Sequence, residues 1–126
     1  MQKDPQSIAL MFNECITNAD LEGLVALMTH DHTSIDMADN ICTGRDCCRD
    51  SVWQPFFEQF RGYRNIFGDI RTEGSVVTMR GYSVCDDSRL DNVMALWVAT
   101  TEGDKVKQWR IYSDTPENRV ILGMSE

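Results

Sequence analysis

Four short blocks of alternating apolar and polar residues fill the chain from Arg64 to Asp114, and the strings between them, "EGS", "DDSRL" and "EGD", are rich in turn residues. Separators this short leave no room for a crossover, so the spacing predicts strands over 64–72, 76–84, 92–101 and 105–114 joined as antiparallel hairpins. The first half reads differently. Asp4 before Pro5 supplies a capping side chain and then a ring that needs no N–H in a first helical turn. Ile8, Met11, Phe12, Cys15, Ile16 and Ala19 then recur at helical spacing, and Asp20 caps a second, shorter helix with the stripe Leu21, Leu24, Val25 and Met28. Helices first and a meander afterwards indicate an α+β domain in which a curved sheet wraps around the helices that cover it.

Between these halves lies "LMTHDHTSIDMADN", Leu27 to Asn40, which holds both histidines of the chain. From His32 the period changes to two, as in a strand, with His32, Ser34 and Asp36 on one face and Thr33 and Ile35 on the other. A loop, "ADNICTG", then leads to a third helix whose apolar side is Cys48, Val52, Trp53, Phe56, Phe57 and Phe60. Pro55 falls inside that helix, removes a backbone donor and crowds the preceding turn, which predicts a kink or split near Gln54. The last stretch, "TPENRVILGMSE", reads as an arm or frayed end.

Size and charge limit what such a domain does. With 126 residues and 42% hydrophobic content, one core and one domain, 1–126, are expected. The net charge of -8 opposes binding to nucleic acid and to anionic membrane surfaces. No apolar run approaches the roughly 20 residues of a membrane-spanning helix, and the start "MQKDPQS" lacks the apolar core of a signal peptide. A cytoplasmic protein is the expectation. Five cysteines, Cys15, Cys42, Cys47, Cys48 and Cys85, form neither a CxxC pair nor a regular disulfide framework, and read mainly as small core residues in a reducing compartment.

Three strings, in this order and spacing, carry a resemblance that covers nearly the whole chain: "NADLEGLVALMTHDHTSID", "TGRD" and "GDKVKQWRIYSD". They resemble the helix, acid-rich corner and first strand, the start of the third helix, and the last hairpin of the nuclear transport factor 2-like superfamily. Within it they are similar to the SnoaL-like group of polyketide cyclases and ketosteroid isomerases. The resemblance implies a cystatin-like conical barrel, in which a curved, mostly antiparallel sheet wraps around three N-terminal helices. It further implies a mostly apolar cavity and a homodimer formed through the outer sheet surface. It implies no single reaction, because members include isomerases, cyclases, dehydratases, epoxide hydrolases and binding modules.

In the isomerase and cyclase members a carboxylate at the end of the first strand removes a proton beside a carbonyl, and Asp36 sits at the matching place. Buried in the cone, such a carboxylate has its charge disfavoured and becomes a better base near neutral pH. His32 would share its face and assist it, binding a substrate oxygen or carrying the proton onward. The bland alternatives are that Asp36 caps a turn, that His32 is a buried polar residue with a satisfied hydrogen bond, and that His30 caps the end of the second helix. A metal held by His30, His32 and Asp36 is a poor fit, since no further ligand is evident.

Two departures narrow the chemistry. The oxyanion hole of the steroid isomerases, a tyrosine and a protonated aspartate, falls in this register on Phe12 and Leu96, neither of which donates a hydrogen bond. The string "QWRIYSD" resembles limonene epoxide hydrolase but carries Ile111 where that enzyme has an aspartate, and Arg89 and Asp91 fall by a turn rather than inside a strand.

Alternation suggests the remaining lining. It places Trp109, Ile111 and Ser113 inward with Lys107 at the rim, beside Met94, Leu96 and Val98 on one neighbouring strand and Val77, Met79, Gly81 and Ser83 on the next. Ser34, Trp53 on the third helix and Tyr63 at the mouth complete the expected ligand contacts with Phe12, while Trp97 is expected on the opposite face. The same side chains could instead fill the space. The resulting expectation is a cofactor-independent isomerase, cyclase or dehydratase acting on a small hydrophobic carbonyl compound. The alternative is a non-catalytic binding or dimerisation module of the same fold.

Overall fold

A computed structural model describes residues 3–124. Its elements follow the expected order: α1 (Pro5–Thr17), α2 (Leu21–Ala26), β1 (Met28–Ile35), β2 (Ile41–Thr43), α3 (Arg45–Cys48), α4 (Gln54–Gln59), β3 (Arg64–Glu73), β4 (Val76–Val84), β5 (Val93–Glu102), β6 (Lys105–Ser113) and α5 (Pro116–Ile121). The strands form one open, six-stranded mixed sheet in the order β2-β1-β6-β5-β4-β3, not a closed barrel. All pairings are antiparallel except β1 with β6.

Local chemistry accounts for the boundaries. The Asp4 carboxylate accepts from the Ser7 amide and Asp20 from that of Gly23, each satisfying a donor that a helix start leaves open. Between α3 and α4 a π-helical turn spans Arg49–Trp53, and Gln54 N–H donates to the Arg49 carbonyl. This wide turn precedes Pro55, so the ring enters at the start of a new helical segment instead of colliding within an old one. The split expected near Gln54 is therefore present, and it takes the form of a widened turn.

The sheet bends where β3 meets β4. Register shifts between Phe67 and Asp69, and a Cβ on Gly81 opposite them would collide with the Ile66 carbonyl. A bulge beside a glycine lets one strand curl over the other, which gives the sheet a concave face. Against that face α1 packs Ile8, Phe12 and Ile16, and they share one core with Met79, Trp97 and Trp109.

Four expectations are corrected. The first strand starts at Met28, so His30 is an exposed strand residue and not a cap on the second helix. The loop before the third helix contains β2, paired antiparallel to the end of β1. Lys107 is exposed, at an irregularity where Val106 and Gln108 pair with the adjacent Thr101 and Thr100, and it faces Asp31 and Glu102 rather than the concave side.

Fourth, the stretch after Asp114 is no frayed arm. Thr115 caps α5, Met124 is buried, and Arg71 donates to the Gly123 carbonyl at 2.8 Å. Asp114 is paired with Arg80 at 3.0 Å and Arg119 at 2.9 Å, which fastens α5 to the convex face. The expected tail ran to Glu126, and residues 125–126 lie outside the described residues, as do residues 1–2 of the "MQKDPQS" start.

Candidate functional site

A cavity of about 550 Å³ opens between the concave face, the helical segment carrying Trp53 and Phe56, and the β1–β2 turn. This volume lies within the range of small-molecule sites. Its wall is mainly aromatic and aliphatic. All three tryptophans of the chain, Trp53, Trp97 and Trp109, line it, together with Phe56, Phe60 and Tyr63. The side chains of the described residues leave this volume open.

Two of the cavity's polar groups, Ser34 and Asp36, come from the strand face expected to carry the chemistry. At the inner end Ser34 lines the cavity, and its hydroxyl lies 3.3 Å from Nε2 of His32. His32 itself is behind the wall and 0% exposed, with Nδ1 2.7 Å from the Val106 carbonyl. A carbonyl only accepts, so Nδ1 carries the proton and Nε2 of the neutral ring accepts from Ser34. Burial pushes the His32 pKa down, against a smaller opposing contribution from the Val106 hydrogen bond, and the imidazole is neutral at physiological pH. The Ser34 oxygen, its own hydrogen directed at His32, is left as an acceptor toward the cavity.

At the mouth stands Asp36, one residue beyond β1. It lines the cavity, yet it is exposed and its oxygens are occupied: Oδ1 accepts from the amides of Ala38 at 2.9 Å and Asn40 at 3.0 Å, and Oδ2 from the Asn40 side chain at 3.0 Å. The carboxylate organises the turn into β2, where Asp39 adopts a φ of 66°. The dry environment expected for a catalytic base is absent, and Asp36 and His32 share no hydrogen bond. Among the described residues no cluster of His, Cys, Asp and Glu converges as a metal site.

Of the expected ligand contacts, Ser34, Trp53, Tyr63, Trp109 and Ile111 line the cavity. Phe12 and Met79 do not. Both are fully buried, Phe12 with its ring 4.7 Å from Trp109, so they support the wall from behind. Met94 and Leu96 point the other way: the inward residues of β5 are Ala95, Trp97 and Ala99, one position out of step with the expected set. Met94 is 52% exposed and Leu96 is buried on the convex side. The Leu96 position therefore offers no place for an oxyanion donor, whichever residue occupied it.

Three of the lining residues outside the expected set bear on what the cavity can hold. Trp97 comes inward through the register of β5. Asn65, on β3, is buried, with Nδ2 donating to Asn13 at 3.0 Å and Oδ1 unpartnered. Arg89, between β4 and β5, reaches the mouth, where its guanidinium stacks over Phe60 at 5.0 Å and is held by Asp87 at 2.7 Å. Asp91 is engaged elsewhere, accepting from the Cys85 amide at 3.2 Å. Arg89 and Asp91 therefore form no pair of the epoxide hydrolase kind. Tyr63 is half-buried, and burial pushes its phenol further up, so it stays protonated.

No family model and no curated protein sequence matches the chain. Solved structures do. A putative SnoaL-like polyketide cyclase from Shewanella putrefaciens CN-32 superposes with a TM-score of 0.77 at 16% identity, covering 96% of this chain and 86% of that one. The fold is nuclear transport factor 2-like. An LEH-like epoxide hydrolase of M. tuberculosis gives a TM-score of 0.77 at 14% identity, with 98% and 90% of the two chains covered. A Catenulispora acidiphila protein with a ketosteroid isomerase-like fold, in complex with trimethylamine, gives 0.74 at 15% identity, with 98% and 96% covered. At these identities the nuclear transport factor 2-like architecture is shared and the activity is not carried with it.

Proposed function

We propose that the protein binds a small, mainly apolar molecule with one polar group, received at the inner end of the cavity by Ser34. The observation that carries this reading is the combination of an open aromatic chamber with a hydroxyl backed by a buried, neutral imidazole. The ligand polar group best suited to the Ser34 acceptor is a hydroxyl or another hydrogen-bond donor. A carbonyl is accommodated when the Ser34 hydroxyl turns from His32 toward it.

Turnover is the second reading, and the place of Asp36 in the cavity wall favours it. Proton abstraction there would neutralise a solvent-exposed carboxylate whose three hydrogen bonds favour the anion, so binding is the better supported of the two.

Intrinsic fluorescence tests both readings, because every tryptophan faces the chamber. A panel of hydrophobic ketones, phenols and quinones is titrated into the protein and each mixture is assayed for consumption by mass spectrometry. Quenching with a raised melting temperature and unchanged ligand supports binding. For such a ligand, Ser34→Ala is expected to weaken affinity by about 1 kcal/mol, roughly fivefold. Consumption that disappears in Asp36→Asn would instead establish turnover, and the absence of any response would overturn both readings.

A further inference from the structure

Two thiols meet at the rim of the cavity in a way that the ligand site does not require. Cys42 lies on β2 and lines the chamber, and Cys47 lies on α3 and is exposed. Their sulfurs are 2.7 Å apart, closer than unbonded thiols pack and approaching the roughly 2.05 Å of a disulfide. The third cysteine of this corner is committed elsewhere. Cys48 is buried, and its thiol faces the carbonyls of Cys42 at 3.3 Å and His32 at 3.6 Å.

We propose that Cys42 and Cys47 form a reversible disulfide that ties β2 to α3 at the cavity rim, with a low-molecular-weight disulfide such as oxidised glutathione as the oxidant. Exposure gives the order of events. Cys47, as its thiolate, attacks one sulfur of the oxidant, breaks its S–S bond and expels one glutathione thiolate. Cys42 then loses its proton to solvent and attacks Cys47 Sγ, forming the protein disulfide and releasing the second glutathione. Two cysteine thiols are oxidised and one glutathione disulfide is reduced to two thiols.

Burial, together with the hydrogen bond to Cys47, pushes the Cys42 thiol up to about 12, so Cys42 is the resolving and not the attacking group. The segment closed by the bond contains Gly44 at a φ of 102°, a turn already in place in the reduced chain. Since Cys42 is part of the wall, oxidation removes a thiol from the chamber and fixes β2, which borders it.

The experiment uses the full chain in glutathione buffers of graded oxidation, quenched with acid. Free thiols counted in denaturant are expected to fall by two from five. Trypsin cleaves after Arg45, between the partners, so the non-reduced digest should join the Cys42 peptide to the short peptide Asp46–Arg49. Cys47→Ser, a change at an exposed position, should abolish the joined species and leave the circular dichroism spectrum unchanged. Cys48→Ala should retain the joined species.

Unchanged thiol counts, a stable glutathione adduct on Cys47 without resolution, or a joined species that survives in Cys47→Ser would each overturn the proposal. None of these readouts involves a ligand, so the result is independent of the function proposed above.

Discussion

The two ends of the His32 to Asp36 segment have opposite fates although only three residues lie between them. His32 is sealed, neutral and bonded to a backbone carbonyl, while Asp36 is open to solvent and bonded to three donors of its own turn. The difference follows from position in the sheet. The middle of β1 is covered by α1, whose Phe12 ring lies 5.7 Å from that of His32, and its end emerges where the chain must reverse into β2. A polar pair that looks like one catalytic unit in sequence is thus a buried structural group and a turn organiser, with Ser34 between them meeting the cavity.

The largest test of this contrast is His32→Leu. It leaves the Val106 carbonyl and the Ser34 hydroxyl without partners, and a loss of about 2–4 kcal/mol is expected, read as a lower urea midpoint at unchanged m-value. Asp36→Ala should cost less, about 1 kcal/mol, as expected for a side chain that caps a local turn. If Asp36→Ala proved the more damaging, the assignment of burial to one end and solvent to the other would be wrong.

A double-mutant cycle sharpens the inner end. The stability effects of His32→Leu and Ser34→Ala should couple by about 0.5–1 kcal/mol, since they share a hydrogen bond. Those of Ser34→Ala and Asp36→Ala should add within about 0.5 kcal/mol, since those two share none. Coupling of the second pair would indicate a connected unit after all.

The smallest effect is the pH dependence of stability. The folded-state pKa of His32 lies below its unfolded value, so in the window between the two the unfolded chain binds more protons. The contribution of His32 is complete above about pH 6.5 and is lost as pH falls from there toward the folded pKa. The wild-type stability should therefore decline between about pH 7.5 and 5.5 more steeply than that of His32→Gln, measured by urea unfolding. Equal slopes would mean that the imidazole is not desolvated.

Much of the fold was legible, because helical stripes, caps and hairpin turns are local signals. The order of β3 to β6 and the break before Pro55 follow from them directly. What failed was the face of β5. In "VMALWVATT" both alternating sets are apolar, so a period of two cannot say which side is inside.

The reason lies beyond the strand. The C-terminal segment crosses the convex face, where Arg80, Asp114 and Arg119 hold it, and Leu96 is buried on that face as deeply as Trp97 is on the concave side. An amphipathic strand announces its orientation, and a strand covered on both faces does not. The depth of Asn65 and the reach of Arg89 from its turn to the cavity were not legible for a related reason, since neither the burial of a single polar residue nor the reach of a loop arginine has a sequence period.

The histidine also explains an irregularity in the sheet. Along β1 the paired residues Met28 and Thr33 are five positions apart, whereas their partners on β6, Val106 and Gln108, are two apart. His32 lies within this surplus chain, and its imidazole N–H donates across to the Val106 carbonyl. Residue 32 and the extra length of β1 therefore act together, the surplus chain being tied to β6 through the imidazole. A redesign that shortens the strand to regular pairing would free this position for leucine, whereas one that keeps the surplus must keep a donor of the same reach.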